Sequence, residues 1–326
     1  MKNENLAQLP GSFEEAVKMV KNFALLEIQR ESEQKQLYYH SCDHAYAVQQ
    51  RADIIFQAIE PFEKQTSQTS LTRIKHLIDI CAIAHDMVQE FLPNTKLNTS
   101  RKREPGVSEA ATISKLINYI ESLKIKSSNQ KVNNPILFTD SDLQIIREAI
   151  EATICLYDCE DNSIYQPYLY SNEQKISLPA RIIALADIGS LGIEGIEAYF
   201  HEGSLIFLEE NPDIIPIILN QDYNNQPELS ENLRQRLLQR ARFQVDFARG
   251  REARFMREVE GLPVGAISIL RNKVFKYLNK DTIAKIESIT PTTDDTILEK
   301  LIEFFNLKKL VLSSSLNKES KIHYYP

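Results

Sequence analysis

The sequence predicts an all-α protein. Apolar residues recur at three-and-four spacing through most of the chain, the pattern that lines one face of a helix. Glycine is scarce, nine in 326 residues, whereas sheet sandwiches and nucleotide-loop folds need glycine at their turns. Strand-like runs are few. There is no glycine-rich phosphate loop either, since Gly189, Gly192 and Gly195 lie at three-residue spacing with no lysine among them.

Taken in order, the amphipathic pattern predicts helices at Ser12 to Arg30, Ser41 to Glu60, Thr69 to Gln89, Val107 to Leu123, Asp140 to Tyr157 and Leu178 to Phe200, each with a polar starter or a stop nearby. Asp140 and Ser141 are the expected caps of LQIIREAIEATI, and Pro179 falls in the first turn of RIIALADIGSLGI, where proline is tolerated. Segments rich in Asn, Ser, Pro and charge predict loops at 91–106, 126–139 and 158–175. Beyond Gly203 the pattern changes. A Pro- and Asn-bearing stretch, 211–227, leads into a long charged helix, 228–260, and then into shorter helices and a polar tail. The expected organisation is an extension over 1–36, a core over 37–203, and a C-terminal helical region over 204–326 packed on that core.

Composition narrows the function classes. With 43% hydrophobic and 25% charged residues the chain is neither disordered nor short of core. A formal net charge of -7 disfavours extended nucleic-acid binding while leaving room for a local basic pocket. No stretch approaches the roughly 18 apolar residues of a membrane span, so the expectation is a cytoplasmic protein with no membrane partner. Cys42, Cys81, Cys155 and Cys159 include no CxxC pair, and they are expected to be reduced and mostly packed.

Three segments place metal-ligand side chains where a bare polar residue would be costly. In YYHSCDHAYAVQQ, His40 and His44 stand one turn apart and project from one helix face. The apolar run Ile78 to Ile83 leads directly to the adjacent pair His85–Asp86. Asp187 sits inside the apolar ALADIGSLG, with Arg181 six residues earlier as its nearest cation on that side. A buried carboxylate is tolerated when a cation neutralises it. Each segment also has a plain explanation: a helix-surface histidine pair, a histidine at a helix C-terminus, an aspartate paired to a neighbouring helix.

In order, His44, His85–Asp86 and Asp187 resemble the HD-domain family of metal-dependent phosphohydrolases, named for its adjacent His-Asp pair. The resemblance spans about Leu37 to Phe200. It implies a compact helical bundle, to which the C-terminal helices read above are additional, a divalent metal held by His44, His85, Asp86 and Asp187, and a proton-donor role for His40; it leaves 1–36 and 205–326 unexplained. It further implies hydrolysis of a small phosphate ester, with a nucleotide among the candidates, by a metal-activated water. No histidine occurs from Met87 through Ala186, which favours one ion over the histidine-richer dinuclear and oxygenase-like branches. Two imidazoles and two carboxylates suit Mn, Fe, Co, Ni, Zn or Mg.

Phosphate oxygens need positive charge, and Arg101, Lys102 and Arg103 follow the pair closely. They are either a substrate clamp or a solvated loop. Glu109 opens the next helix, where it would orient the attacking water or complement the helix dipole. A second cluster, Arg249, Arg251, Arg254 and Arg257, offers Arg254 as a phosphate contact; the other reading pairs these arginines with Glu252, Glu258 and Glu260 or places them at a homo-oligomer contact. His76, His201 and His323 lie outside the pattern and are expected to be structural or exposed. Two departures from the family stand out. Ser41 follows His40 where many members carry asparagine, and Gln89 stands three residues after Asp86 where a nucleotidase subgroup bears glutamate, which weakens the case for nucleoside monophosphates. The alternative to an enzyme is a signalling or scaffold protein that binds metal or ligand without turnover.

Overall fold

Ser12 accepts a hydrogen bond from the Glu15 backbone N–H and opens α1 (Phe13–Lys35), whose residues Ala16, Val17, Val20, Ala24 and Ile28 are buried at helical spacing. The computed structural model describes residues 9–63, 68–94, 96–129, 138–170 and 176–313. Within them the chain is all-α apart from one two-stranded ribbon. The first half continues with α2 (Cys42–Ile59), α3 (Gln68–Ala84), α4 (Val107–Asn129), α5 (Asp140–Glu151) and α6 (Leu178–Asp187). Then come the short α7 (Ser190–Ile193), α8 (Ile196–Glu210), α9 (Ile214–Asn220), the long α10 (Pro227–Glu258), α11 (Val264–Ile269), α12 (Lys280–Ile289), α13 (Leu298–Phe304) and a last helix, α14, over 307–313. No helix among the described residues is long and apolar enough to cross a membrane.

The principal core joins α1 to α6 and is closed by Phe255, Val259, Leu270 and Phe275 from the second half. At its centre α2 packs on both α3 and α6, and the inner faces of α3 and α6 are fully buried at Ile80, Ile83, Ile182 and Leu185. A second cluster, with Phe207, Leu237, Leu301 and Phe305, ties α8, α10 and α13 together. α8 runs without interruption through residue 203, so its N-terminal half belongs to the expected core and its C-terminal half to the region after it.

Several local expectations change. The predicted helix 69–89 stops at Ala84, which places His85 and Asp86 in the turn that follows. The predicted helix 178–200 is three helices, because the chain turns at Gly189 and at Gly195, whose φ of +96° is a left-handed value that suits glycine. The predicted helix 140–157 ends at Glu151. Its remainder enters the ribbon of β1 (Leu156–Asp158) and β2 (Ser163–Tyr165), paired antiparallel with Leu156 opposite Tyr165. These strands are too short for alternation to announce them. Parts of the predicted loops, 130–137 and 171–175, and His323 lie outside the described residues.

The cap of α5 is Thr139, neither Asp140 nor Ser141. Thr139 and Asp142 form a reciprocal capping box, and Asp142 is also held by the Arg73 guanidinium, with Arg73 Nε 2.9 Å from Asp142 Oδ1. Burial opposes ionisation of Asp142, but Arg73 and the Thr139 donors outweigh it and hold the carboxyl below its ordinary range. A lowered carboxylate contributes stability that is present above its ordinary pKa and lost as pH falls through its folded value. Asp142→Asn is therefore expected to lower stability by about 2 kcal/mol at neutral pH. Urea denaturation at pH 7 and near pH 3 would show the gap narrowing in acid.

Candidate metal centre

Three helix ends converge. His44 lies in the first turn of α2, His85 and Asp86 directly follow α3 with the His85 N–H still bonded to the Cys81 carbonyl at 2.9 Å, and Asp187 is the last residue of α6. Helix C-termini carry partial negative charge, so two such ends and two carboxylates meet at one buried point. A cation held there would offset that charge.

The four side chains each turn one ligand atom inward, all within 4.8 Å of one another. His85 Nε2 lies 2.9 Å from Asp86 Oδ2 and 3.5 Å from Asp187 Oδ1, and His44 Nε2 lies 3.3 and 3.6 Å from the same two oxygens. Ligand atoms about 2.1 Å from a shared ion sit about 3.0 Å apart at right angles and about 3.4 Å apart at tetrahedral angles. The observed N–O separations match that spacing. The two Nε2 atoms are buried without an aligned hydrogen-bond partner, which is costly unless something else occupies the centre. The donor set therefore fits a divalent ion.

The outward-facing atoms of His85, Asp86 and Asp187 are fixed, whereas His44 Nδ1 is buried without a partner. His85 Nδ1 lies 3.0 Å from the Ala82 carbonyl and must donate to it, which turns the Nε2 lone pair inward when the ring is neutral. Gln89 Nε2 donates to Asp86 Oδ1 at 3.0 Å, and Gln166 Nε2 donates to Asp187 Oδ2 at 3.2 Å. Each carboxylate thus has one oxygen tied and one free for the centre. An amide is what this position needs at residue 89, because a glutamate there could not donate.

Charge follows this geometry. Burial would depress the imidazolium forms of His44 and His85, yet the facing carboxylates of Asp86 and Asp187 raise both above their ordinary value, His85 strongly. Burial likewise opposes ionisation of the carboxyls, and the histidines overcome it, lowering Asp86 well below its usual range and Asp187 to about 2. Without an ion, the facing carboxylates favour a proton on each histidine.

His40 is buried beside this cluster, its Nε2 3.6 Å from Asp86 Oδ2. Its Nδ1 makes a short hydrogen bond to Glu209, whose other oxygen accepts the backbone N–H groups of Tyr39 and His40 at 3.0 Å each. Burial of Glu209 is outweighed by His40 and Arg103, which bring its carboxyl down to about 2. Arg103 Nη1 lies 3.0 Å from His40 Nε2 and 2.6 Å from Gln89 Oε1. A guanidinium can only donate, so this arrangement holds His40 Nε2 as an acceptor. The proton-donor role expected of His40 therefore requires Arg103 to leave Nε2 first.

A cavity of about 530 Å³ opens over the cluster, lined on this side by Asp86, Asp187, His40, Arg103 and Glu109 and on the other by α8 and α10. Burial, with the nearby Asp86 and Asp187 charges, raises the Glu109 carboxyl above its ordinary range. The other basic residues go elsewhere. Arg101 donates to the carbonyls of Glu209 and Lys35 and lies over the Phe91 ring, strapping the loop to the bundle. Lys102 is exposed and outside the cavity. Arg254 pairs with Asp158 and Asp161, Arg251 with Glu258, and Arg249 with Asp246 and Glu287, so the phosphate contact expected of Arg254 is replaced by an anchor for the β-ribbon. His76 edges onto Phe13, and His201 is exposed. All four cysteines are free thiols.

Sequence reasoning missed Glu209 and Gln166. Glu209 carried a usable signal, an acidic residue closing the apolar run SLIFL, the same pattern that marked Asp187. Gln166 had none. Compared with models of protein families, with curated proteins and with solved structures, the chain gives no match.

Proposed function

We propose that the chain is a metal-dependent phosphohydrolase of the His…His-Asp…Asp type, acting on a small phosphate ester. The observation that carries this reading is the set of His44, His85, Asp86 and Asp187 ligand atoms beside a cavity that also receives the Arg103 guanidinium. A cavity of about 530 Å³ is in the range that small-molecule ligands occupy. A divalent ion held there supplies Lewis acidity, lowering the pKa of a water and polarising a phosphoryl oxygen.

The chain's own groups divide the remaining work. Arg103, kept charged by Glu209 and Glu210 against the cost of its burial, faces the cavity and pairs with a non-bridging oxygen in place of His40 Nε2 and Gln89 Oε1. That exchange releases His40 Nε2 to handle a proton on the leaving oxygen, while Glu209 fixes the ring through Nδ1. Glu109, with its raised carboxyl, orients the attacking water or accepts its proton. Gln89 and Gln166 keep each aspartate in place.

The test strips the purified protein with a chelator and reloads it separately with Mn, Fe, Co, Ni, Zn and Mg. Ion content is read by elemental analysis and turnover on a panel of phosphate mono- and diesters. One ion per chain with ester hydrolysis restored on reloading is expected. A stoichiometric ion with no turnover on the whole panel would replace the enzyme with a binding protein.

Arg103→Ala is expected to raise KM for the ester by about tenfold or more while leaving ion content unchanged. Steady-state kinetics alongside metal analysis checks it.

A further inference from the structure

The far wall of the cavity contains polar groups that no protein atom satisfies. On α10, Arg236, Arg240 and Gln244 follow at four-residue spacing and so form one stripe, with Phe243 and Phe247 beside it; all five line the cavity. Gln244 is 1% exposed, and both its Nε2 and its Oε1 are buried with no partner. The Nε of Arg240 is buried and equally unpartnered, and no carboxylate among the described residues pairs with it. Arg236, in contrast, is fully engaged by Asp213 and Asn211.

This wall is built around the amide. A Cβ at position 203 would lie 1.8 Å from Gln244 Nε2, so glycine there makes the space that the amide fills. The Tyr199 hydroxyl donates to the Gln244 carbonyl at 2.5 Å and steadies that turn of α10. Around it lie flat rings: Phe247 stacks on Tyr199 with centroids 6.1 Å apart and on Phe243 at 6.0 Å, and the Arg240 guanidinium lies 5.4 Å from the Phe243 centroid.

A leucine would fill the Gln244 position without leaving two polar atoms bare, so packing alone does not account for an amide here. A carboxamide offers a donor and an acceptor side by side in one plane. Its complement is an acceptor next to a donor on the edge of a flat ring, the pattern of a nucleobase. The Phe243 and Phe247 rings beside it give a flat heterocycle an apolar wall to pack against.

We propose that Gln244, Arg240, Phe243 and Phe247 form a specificity subsite for a nucleobase-like heterocycle, carried by the ester whose phosphate lies at the metal end of the same cavity. The assignment of a phosphate to that end rests on the function proposed above; the ring subsite itself does not.

The experiment separates the two. Adenosine, guanosine, cytidine and uridine, with ribose as control, are titrated calorimetrically into the full-length protein without added metal, and the matching 5′-monophosphates and ribose 5-phosphate are assayed for hydrolysis with metal. At least one nucleoside is expected to bind about tenfold or more tightly than ribose, and Gln244→Leu and Arg240→Met each to remove that preference. In both variants the ratio of 5′-monophosphate to ribose 5-phosphate hydrolysis should fall by about tenfold or more. Gln244→Leu should also raise Tm, by roughly 2–4 °C, since it removes two unsatisfied buried groups; a residue with a merely structural role would lower it. Binding of every nucleoside no tighter than ribose, or a preference that survives Gln244→Leu, overturns the subsite. Should Gln244→Leu not fold, Arg240→Met carries the same binding readout. Gln244-dependent nucleoside binding without hydrolysis of any ester keeps the subsite and removes the phosphohydrolase.

Discussion

Replacing Asp86 with asparagine is expected to lower the affinity for the divalent ion by at least about a hundredfold and to abolish ester hydrolysis with it. Asp86 Oδ2 is the oxygen nearest to both inward-facing nitrogens, 2.9 Å from His85 and 3.3 Å from His44, and it has no substitute among the neighbouring side chains. Outer partners of a metal ligand already cost 10- to 100-fold when removed; a direct ligand costs more. The same variant tests the charge argument. In the metal-free protein the raised histidines contribute stability that is fully present below their ordinary pKa, near 6.5, and lost as pH rises through their folded values. The ion replaces those protons, so the rise in Tm on adding metal to the natural protein should be larger at pH 8 than at pH 6. In Asp86→Asn that difference should vanish. An ion held with undiminished affinity by Asp86→Asn would place the metal elsewhere.

The second large effect falls on Glu209. Its carboxylate takes the backbone N–H groups of Tyr39 and His40 and the His40 ring, all of them buried. Glu209→Ala strips three buried groups of their partner, and Arg103 loses a neighbouring anion. A loss of about 3–5 kcal/mol in stability is expected, read by chemical denaturation. Glu209→Gln keeps one acceptor and should recover part of the stability while leaving the His40 ring free to rotate, so kcat falls at unchanged ion content. A Glu209→Ala protein as stable as the natural one would show that the His40 turn is held by other contacts.

The cluster of His44, His85, Asp86 and Asp187 was legible in the chain because polar residues interrupted apolar runs. His85–Asp86 after Ile78 to Ile83 and Asp187 within ALADIGSLG are positions where burial demands a partner, and that logic is local. What failed was geometry that only packing decides. Arg101, Lys102 and Arg103 read alike as a basic loop, yet the chain direction there turns Arg103 to the cavity, Arg101 to the Glu209 carbonyl and Lys102 to solvent. Arg254 read either as a phosphate contact or as a partner of nearby glutamates, and the ribbon that supplies its actual partners, Asp158 and Asp161, was expected to be loop and helix end. The breaks at Gly189 and Gly195 stayed hidden because apolar periodicity continues through both. Glu209 was separated from His40 by a compositional change near residue 203 that the helix itself ignores. Gln244 could not be singled out, since an amide on a charged helix is ordinary until its neighbours are known.

The four candidate ligand residues come from three well-separated parts of the chain, position 44, positions 85 and 86, and position 187, at an end of α2, in the turn after α3 and at the end of α6. Such a centre does not exist until α2, α3 and α6 have docked, so an ion captured there acts as a latch on the finished bundle. Unfolding then has to break the ion's coordination before the helices can part, and the native lifetime becomes a function of metal supply as well as of packing. Metal starvation would thus shorten the survival of the protein, and proteolysis rates measured with and without chelator would report that loss independently of any substrate.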